Sequence, residues 1–201
     1  MTRFERVIKE HQKVRDEDFK LPLRATKNAS GYDFYATEDL VIRPSEKVSF
    51  DTDVKIIMNE DETCLLDVRS SIGDKKDLML TTTIGNADSD YANNPSNDGN
   101  IKIGLRNLRP SMILEGYYPI QANLCEINSE GNDIELDEDG QPILTDSAII
   151  SVPIIKDLRA ENTIFIEKGE RVAQGIIVKY VKAENCNSDN ERVGGFGSSG
   201  K

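Results

Sequence analysis

The chain has little of what several common protein classes require. Tryptophan is absent, histidine occurs once, and the 201 residues contain only three cysteines, Cys64, Cys125 and Cys186. These cysteines lie far apart, form no CxxC pair and cannot all pair within one chain, so a zinc site and a disulfide framework are both disfavoured. This cysteine usage fits a reducing cytoplasm.

Long apolar runs and excess positive charge are also missing. No stretch approaches the roughly 20 apolar residues that span a bilayer, and the N-terminal segment is too charged for a signal peptide. The formal net charge of -11 disfavours binding to nucleic acid or to an anionic membrane, because such partners are held by pooled Lys and Arg. We therefore expect a cytoplasmic protein with no nucleic-acid or membrane partner, in which any phosphate chemistry depends on a few local cations or a metal.

What the sequence does contain is many short runs rich in Val, Ile, Leu and Thr, separated by Gly, Asn, Asp and Pro. A length of 201 residues suits one domain, 1–201, with one core. The runs predict strands at 48–57, 63–68, 78–84, 101–105, 148–155, 163–166 and 172–181. Since no helices alternate with them, the pattern predicts an all-β fold, either a β-sandwich or a distorted barrel.

The N-terminal segment has a different period. Phe4, Val7, Ile8 and His11 recur at three- and four-residue steps between charged positions. Residues with this spacing share one face of a helix. The sequence therefore predicts a short N-terminal amphipathic helix.

An acidic stretch at 126–146 stands apart from the strand pattern. Its carboxylates approach the spacing of an EF-hand loop, but Asp146 stands where calcium needs a bidentate Glu. The flanks look extended, so a surface hairpin turning at Asp139-Gly140 is favoured over a calcium site. Such hairpins are usually solvated, although an acidic one also suits a basic partner protein.

The C-terminal residues 187–201 are rich in Gly and Ser. Such a segment buries almost no apolar surface and has a high entropy cost of ordering. The sequence therefore predicts a mobile tail, and the single Phe196 inside it needs a reason.

Four clusters combine glycine with charged or hydroxyl residues, at 29–36, 68–73, 85–91 and 169–175. In the second, Arg69, Ser70 and Ser71 follow an apolar strand, and a guanidinium with two hydroxyls suits phosphate oxygens. Taken singly, each cluster is explained equally well by a turn or a solvated charge.

Taken together with the tail, the four clusters resemble in order and spacing the five motifs of the trimeric dUTP diphosphatase (dUTPase) family. The most specific pieces are Asp88-Ser-Asp-Tyr91 and the Gly-Gly-Phe-Gly-Ser-Ser-Gly tail, and an acidic insert is typical of phage or Gram-positive bacterial types. The resemblance covers about 21–200. It implies a distorted β-barrel or jelly roll, a homotrimer, and magnesium-dependent hydrolysis of dUTP to dUMP and pyrophosphate.

The resemblance implies roles for the third motif. Asp88 would position and deprotonate the water that attacks the α-phosphate. Tyr91 would pack beneath the deoxyribose, where a 2′-hydroxyl would clash, and Gly85 and Gly99 would belong to the substrate pocket with its narrow uracil slot. The segment 92–98 is longer than the family's usual tight turn, which puts the Gly99 assignment in doubt.

The resemblance also implies how the triphosphate is held. Arg69, Ser70, Ser71 and Gln174 match phosphate contacts, and Asp33 matches an acidic position linked through water to Mg²⁺. Because Mg²⁺ keeps most of its waters and binds phosphate oxygens directly, no protein cage need appear in the sequence.

The tail matches the fifth motif, which closes over bound nucleotide in that family. Phe196 would stack on uracil and Arg192 would contact phosphate. Gly197, Ser198 and Ser199 would offer groups to the γ-phosphate.

Two alternatives remain open from the residues. A deoxycytidine triphosphate deaminase shares the fold, but its catalytic Glu falls where this sequence has Gly104. A dUTPase-fold protein could also use the acidic insert, 126–146, to bind a regulatory partner in addition to hydrolysis. Deleting the hairpin separates these roles, because hydrolysis should survive while partner binding is lost.

Overall fold

A computed structural model describes residues 1–125 and 136–185 of the chain. Its strands are β1 (Arg3–Arg6), β2 (Leu23–Arg24), β3 (Tyr32–Tyr35), β4 (Leu40–Ile42), β5 (Lys47–Asp51), β6 (Val54–Ile57), β7 (Glu62–Val68), β8 (Leu78–Leu80), β9 (Gly85–Asp88), β10 (Lys102–Asn107), β11 (Met112–Cys125), β12 (Leu144–Asp157), β13 (Ile164–Ile166) and β14 (Arg171–Lys179). One α-helix, α1 (Ser70–Lys76), follows β7. Within the described ranges, no helix is long and apolar enough to cross a membrane.

The strands pair antiparallel in five sheets, so the predicted all-β fold is confirmed and agrees with a jelly-roll type. The largest sheet has the order β2-β3-β14-β7-β9. The others are β5-β10-β8, β1-β6, β13-β4 and β11-β12. Of the predicted site residues, Asp33, Gly85, Asp88 and Gln174 lie on strands of the five-stranded sheet.

Contacts divide the chain into two compact units. The first is Met1–Pro110 with the chain from Arg159 onward, and it contains every sheet except β11-β12. The second, Ser111–Leu158, is the β11-β12 hairpin, whose ends are joined by a 2.9 Å hydrogen bond from the N–H of Leu158 to the carbonyl of Ser111. Because a unit defined by contacts need not fold alone, the single domain stays a prediction.

The core of the first unit follows from strand alternation. In β10, Ile103 and Leu105 are buried while Lys102 and Arg106 are exposed, as expected when successive side chains point to opposite faces. The largest fully buried apolar side chains are Val7, Phe34, Ile42, Val54, Ile72, Leu78, Ile101, Ile103, Leu105, Ile166 and Val172. Cys64 is a buried free thiol, and burial raises its pKa to about 12, so it carries no thiolate at neutral pH.

The predicted N-terminal helix is wrong. Arg3–Arg6 is a strand that pairs with β6, with Phe4 opposite Ile56, and only Lys9–His11 forms a 3-10 turn. The ring of Phe4 packs 4.9 Å from that of Tyr32. Strand pairing and burial of this ring outweigh a short isolated helix, which is marginal in water.

Most predicted strands are present with altered bounds. The run at 48–57 splits into β5 and β6 because Asp53 has a φ of 57°, in the left-handed region that a strand cannot continue through. The run at 78–84 ends at Leu80, and Thr83 has a φ of 66°. The runs at 63–68, 101–105, 148–155, 163–166 and 172–181 each correspond to one strand.

The hairpin turn predicted at Asp139-Gly140 is present. Leu136 and Pro142 form a β-bridge across it, and the N–H of Gly140 donates to the carbonyl of Asp137 at 3.0 Å. Gly140 has a φ of 78°, which favours glycine at this turn. The rest of the predicted acidic stretch includes 126–135, which lies outside the described residues.

Candidate active site

A buried carboxylate collects three donors on the five-stranded sheet. Asp33 on β3 accepts hydrogen bonds from Arg69 Nε at 3.0 Å, Arg171 Nη1 at 3.1 Å and Gln174 Nε2 at 3.1 Å. Only 1% of Asp33 is exposed. These four residues, which we call the Asp33 cluster, unite Asp33, Arg69 and Gln174 of the sequence prediction and add Arg171.

Strand register explains why the Asp33 cluster forms. β14 lies between β3 and β7, and Gln174 is opposite Asp33 on one side. Arg171 and Gln174 are three residues apart and would face opposite sides of a regular strand. A register shift between Arg171 and Ala173 supplies the irregularity that brings both side chains to the same carboxylate.

Close packing fixes the amide of Gln174. A Cβ added at Gly31 would lie 3.0 Å from Gln174 Oε1 and 3.2 Å from its Cβ. Both distances are tighter than ordinary van der Waals contact, so glycine at position 31 leaves the room that the glutamine occupies. The glycine of the first motif thus has a packing reason.

The charges of the Asp33 cluster do not cancel. Two guanidinium groups flank one carboxylate, and the side chains of Arg69 and Arg171 remain 22% and 44% exposed while that of Asp33 is 2% exposed. A buried carboxylate is tolerated when it is paired and hydrogen-bonded, as this one is on both oxygens. The net positive, partly exposed face suits an anion such as a phosphate.

Helix α1, which the sequence analysis missed, begins directly after Arg69. The N–H of Arg69 donates to the carbonyl of Val172 at 3.0 Å, which ties the start of the helix to β14. Ser70 is exposed and Ser71 half-buried in the first turn, next to the Asp33 cluster along the chain. Lys75 and Lys76 in the last turn are the signal that favours a helix here.

The third motif forms β9 and a 3-10 turn, Ser89–Tyr91. Asp88 is half-buried and its Oδ1 accepts a 3.0 Å hydrogen bond from Asn86 Nδ2. Tyr91 is 6% exposed. Its hydroxyl donates to the carbonyl of Asn100 at 3.2 Å and accepts from Asn97 Nδ2 at 2.9 Å.

The long segment after Tyr91 closes on Gly99. This glycine has a φ of 81°, and an added Cβ would lie 2.7 Å from Ala92 Cα and 2.8 Å from the carbonyl oxygen of Tyr91. Both neighbours are backbone atoms that cannot move aside cheaply. The geometry gives Gly99 a role in closing the loop, while its place in a uracil slot stays a prediction.

The two halves of the predicted site lie apart within one chain. On β7, Thr63 pairs with Asp88 and Asp67 pairs with Gln174, so the two pairs are about 13 Å apart along the strand. Asp33 on β3 is also three strand positions from β9, or about 14 Å across the sheet. Asp88 and the Asp33 cluster are therefore about 20 Å apart, and one chain alone does not bring them together.

Gly85 of the third motif lines a cavity of about 240 Å³ with Thr81, Thr82, Lys102 and Gly104. A Cβ at Gly104 would lie 2.4 Å from Thr81 Oγ1. This position therefore accepts no larger side chain unless Thr81 moves. Sequence reasoning missed Thr81, Thr82 and Lys102, since nothing in their local pattern distinguishes them from strand-end residues.

Several predicted site residues belong to a part of the chain that the structure does not describe. Arg192, Phe196, Gly197, Ser198 and Ser199 all lie outside the described residues. Among residues 1–125 and 136–185, no group of three or more His, Cys, Asp or Glu could hold a metal ion. Any metal at the Asp33 cluster would therefore need ligands from elsewhere, such as substrate oxygens.

The chain is similar in sequence and fold to known dUTPases. The dUTPase family model matches residues 17–112. The deoxyuridine 5′-triphosphate nucleotidohydrolase of Lactococcus lactis is 28% identical over 190 residues, covering 94% of this chain and 93% of that enzyme. Its counterpart from Hydrogenobaculum is 27% identical and covers 92% of each chain.

Solved structures extend the comparison to the fold. The crystal structure of dUTPase from Streptococcus mutans superposes with a TM-score of 0.57 and 27% identity, covering 90% of this chain and 98% of that one. The dUTPase of Staphylococcus aureus phage phi11 superposes with a TM-score of 0.56 and 24% identity over 94% of this chain and 97% of that one, a likeness of fold.

The fold is of the jelly-roll type, with the Asp33 cluster on one sheet and a separate Asp88–Tyr91 segment. The family match and the length covered in its relatives make the assignment specific. The chain belongs to the dUTPase family.

Proposed function

We propose that this protein hydrolyses dUTP to dUMP and pyrophosphate. The observation that carries the proposal is the Asp33 cluster, in which two partly exposed guanidinium groups converge on one buried carboxylate. In a chain of net charge -11, this local positive face is suited to a triphosphate. Relatives named for this activity match more than nine-tenths of the chain.

In this proposal the Asp33 cluster holds the phosphates. Arg69 contacts phosphate oxygens with its partly exposed guanidinium, helped by the hydroxyls of Ser70 and Ser71. Gln174 holds the α-phosphate near the attacking water. Asp33 fixes the direction of these donors, so that little rearrangement accompanies binding.

Magnesium would supply charge neutralisation of the triphosphate and orientation for in-line attack. The residues present fit an ion that arrives on substrate oxygens. Asp33 receives three hydrogen bonds, and a carboxylate offers about four lone-pair positions, so one is left for a metal-bound water. Asp33 would thus contact the metal through water only.

Asp88 would act as the general base. The hydrogen bond from Asn86 Nδ2 to Asp88 Oδ1 orients the carboxylate that would receive the proton of the attacking water. Geometry decides such a role, because the base must reach the proton that it removes. The half-buried position of Asp88 on β9 leaves it accessible to a substrate that approaches the sheet.

The nucleoside would lie on the third motif. The ring of Tyr91 excludes a ribose 2′-hydroxyl, and the cavity lined by Gly85 and Gly104 offers a narrow space for the base. A narrow pocket of this kind excludes a base that is larger or that carries different hydrogen-bonding groups. The close approach of Gly104 to Thr81 also argues against a deaminase, whose catalytic Glu would need that position.

A complete site would require more than one copy of the chain. Asp88 and the Asp33 cluster are about 20 Å apart, too far for one bound triphosphate to contact both within one chain. A closed homotrimer would bring Asp88 of one copy to the Asp33 cluster of another. Arg192, Phe196, Gly197, Ser198 and Ser199 would close over the bound nucleotide, as the resemblance implies.

The proposal is tested by measuring pyrophosphate release from dUTP, dCTP, dTTP and UTP with magnesium. We expect strong preference for dUTP. Asp88→Asn should lower kcat by about 100-fold or more, because general-base catalysis contributes on that order. Equal turnover of UTP would contradict the role of Tyr91, and full activity in Asp88→Asn would contradict that of Asp88.

Binding of a regulatory protein through 126–146 stays a prediction. Half of that stretch lies outside the described residues, and no contact of the described part points to a particular partner.

A further inference from the structure

The hydroxyl of Tyr91 is fixed by the long loop that follows it. It accepts a hydrogen bond from Asn97 Nδ2 at 2.9 Å and donates one to the carbonyl of Asn100 at 3.2 Å. A phenol held only by packing can slide and tilt by a few tenths of an ångström. One held at its far end by two hydrogen bonds has a defined ring position.

Asn97 uses its whole amide for this purpose. Its Nδ2 donates to the Tyr91 hydroxyl and, at 3.3 Å, to the carbonyl of Asn100. Its Oδ1 accepts from Asn94 Nδ2 at 2.7 Å and from the N–H of Gly99 at 3.1 Å. An amide has two donors and two acceptor sites, so all four are occupied, and no other side chain of this size offers the same set.

The loop that carries Asn97 is in turn fixed to the body of the first unit. Asp98 forms a buried ion pair with Lys55 at 3.0 Å, and each side chain is only 8% exposed. The N–H of Ile8 donates to Asp98 Oδ2 at 2.7 Å. Because a buried paired charge is costly to disturb, this end of the loop cannot shift without losing the pair.

We propose that Asn97 is a positioning residue for substrate specificity, which sets discrimination against ribonucleotides by holding the phenol of Tyr91 in place. The inference rests on the proposed function, in which the Tyr91 ring excludes the 2′-hydroxyl. It adds a residue from the segment 92–98, which follows the third motif and is longer than the usual turn of the family.

Discrimination against ribonucleotides depends on how rigidly the Tyr91 ring is held. One oxygen atom distinguishes ribose from deoxyribose, and a wall that yields by a few tenths of an ångström admits it at small cost. The Tyr91 ring, whose hydroxyl makes two hydrogen bonds, can move aside only if these bonds break. Selectivity therefore depends on the anchor as well as on the ring.

The experiment measures kcat/KM for dUTP and for UTP, with magnesium, in the parent, Asn97→Ala, Tyr91→Phe and the double variant. Each single change should lower the dUTP-to-UTP ratio by about fivefold or more, the effect expected for loss of one hydrogen bond. The double variant should lose no more than Tyr91→Phe alone, since that change already removes the hydrogen bond from Asn97.

A role in loop stability alone gives a different result. It would lower kcat/KM for both nucleotides by one factor and leave their ratio unchanged, which would overturn the inference. Additive losses in the double variant would also overturn it. Should Asn97→Ala fail to fold by circular dichroism, Tyr91→Phe still removes the hydrogen bond from Asn97, together with the one to Asn100, and keeps the ring.

Ser96→Ala is the matched control. Ser96 lies in the same loop, is exposed, and its hydroxyl donates to Asn94 Oδ1 at 2.7 Å, so the change removes a hydrogen bond of the loop that does not involve the Tyr91 hydroxyl. It should leave the dUTP-to-UTP ratio unchanged, and an equal fall in this variant would contradict a specific role for Asn97. A parent protein that does not hydrolyse dUTP would overturn the proposed function itself, whereas a selective parent with an unchanged ratio in Asn97→Ala overturns only this inference.

Discussion

Asp33 is the residue whose environment differs most from that of an ordinary surface acid. Its carboxylate is almost completely buried, and each of its oxygens is charge-paired with an arginine. Removal of this carboxylate would leave two guanidinium groups facing each other, so loss of one charge disturbs both cations. The same group therefore supports the fold and orients the donors of the site.

A comparison of two glycines with similar backbone angles distinguishes backbone strain from steric clash. Gly99 and Gly169 have φ of 81° and 85°, where an L-residue is strained. A Cβ at Gly169 would meet only the flexible end of Lys20, at 3.2 Å, whereas at Gly99 it would meet two backbone atoms below 3.0 Å. A side chain at either position would therefore cause backbone strain, but only one at Gly99 would also clash with backbone atoms.

We predict that Gly99→Ala lowers the free energy of unfolding by about 3 kcal/mol and Gly169→Ala by about 1 kcal/mol. Urea unfolding at one protein concentration measures both, since assembly would otherwise shift the apparent stability. Equal losses in the two variants would contradict the clash at Gly99 and leave only the strain that the two positions share.

At the scale of elements, the sequence predicts strands well where apolar runs are long. β7 and β14 were predicted because each contains an apolar run, Cys64-Leu65-Leu66 in β7 and Ile176-Ile177-Val178 in β14. β9 was missed as a strand, since Gly85–Asp88 has no β-branched residue and pairs only with β7, about 20 residues earlier in the chain. Local pattern cannot report such long-range pairing.

The candidate site was predicted from motifs and completed by geometry. Asp33, Arg69 and Gln174 converge as a group, although they are far apart in sequence. Arg171 joins them only because β14 has a register shift after it, and an irregularity of this kind leaves no mark in composition. The prediction of an N-terminal helix was wrong for the opposite reason. The helical spacing of its apolar residues is a local signal, and pairing of this segment with β6 outweighs it.

The β11-β12 hairpin contributes no residue to the Asp33 cluster or to the third motif. Ser111 and Leu158 at its base are joined by a 2.9 Å hydrogen bond, and Asn162 Nδ2 donates to the carbonyl of Pro110 at 2.9 Å in the first unit. The chain therefore leaves and re-enters the first unit at neighbouring points, where a short linker can replace the hairpin.

We predict that replacing residues 112–157 with a short Gly-Ser linker leaves kcat/KM for dUTP unchanged. The reason is that all described site residues belong to the first unit. The matched control carries the same linker in place of residues 126–146 alone, which keeps most of both strands. Loss of hydrolysis in the first variant but not in the control would show that strands β11 and β12 support the site after all.

At the scale of the whole molecule, the main constraint is the separation of the two halves of the site. Asp88 on β9 lies beside one end of β7 and the Asp33 cluster lies near the other end, about 20 Å away across and along the sheet. A rigid sheet cannot fold back on itself to close this distance. In the proposed trimer, activity would therefore depend on assembly, and one inactive copy would not inactivate every site.

Mixing two inactive variants tests this dependence directly. Asp88→Asn keeps an intact Asp33 cluster, and Arg69→Ala keeps an intact third motif. When they are unfolded together in equal amounts and refolded, we expect about a quarter of the parent activity, because each half of a shared site is intact in half of the chains. Pyrophosphate release from dUTP measures the recovery.

A mixture of Arg69→Ala with Gln174→Ala should recover nothing, since both changes fall in the same half. No recovery in the first mixture, with mixed assemblies present, would mean that each chain completes its own site.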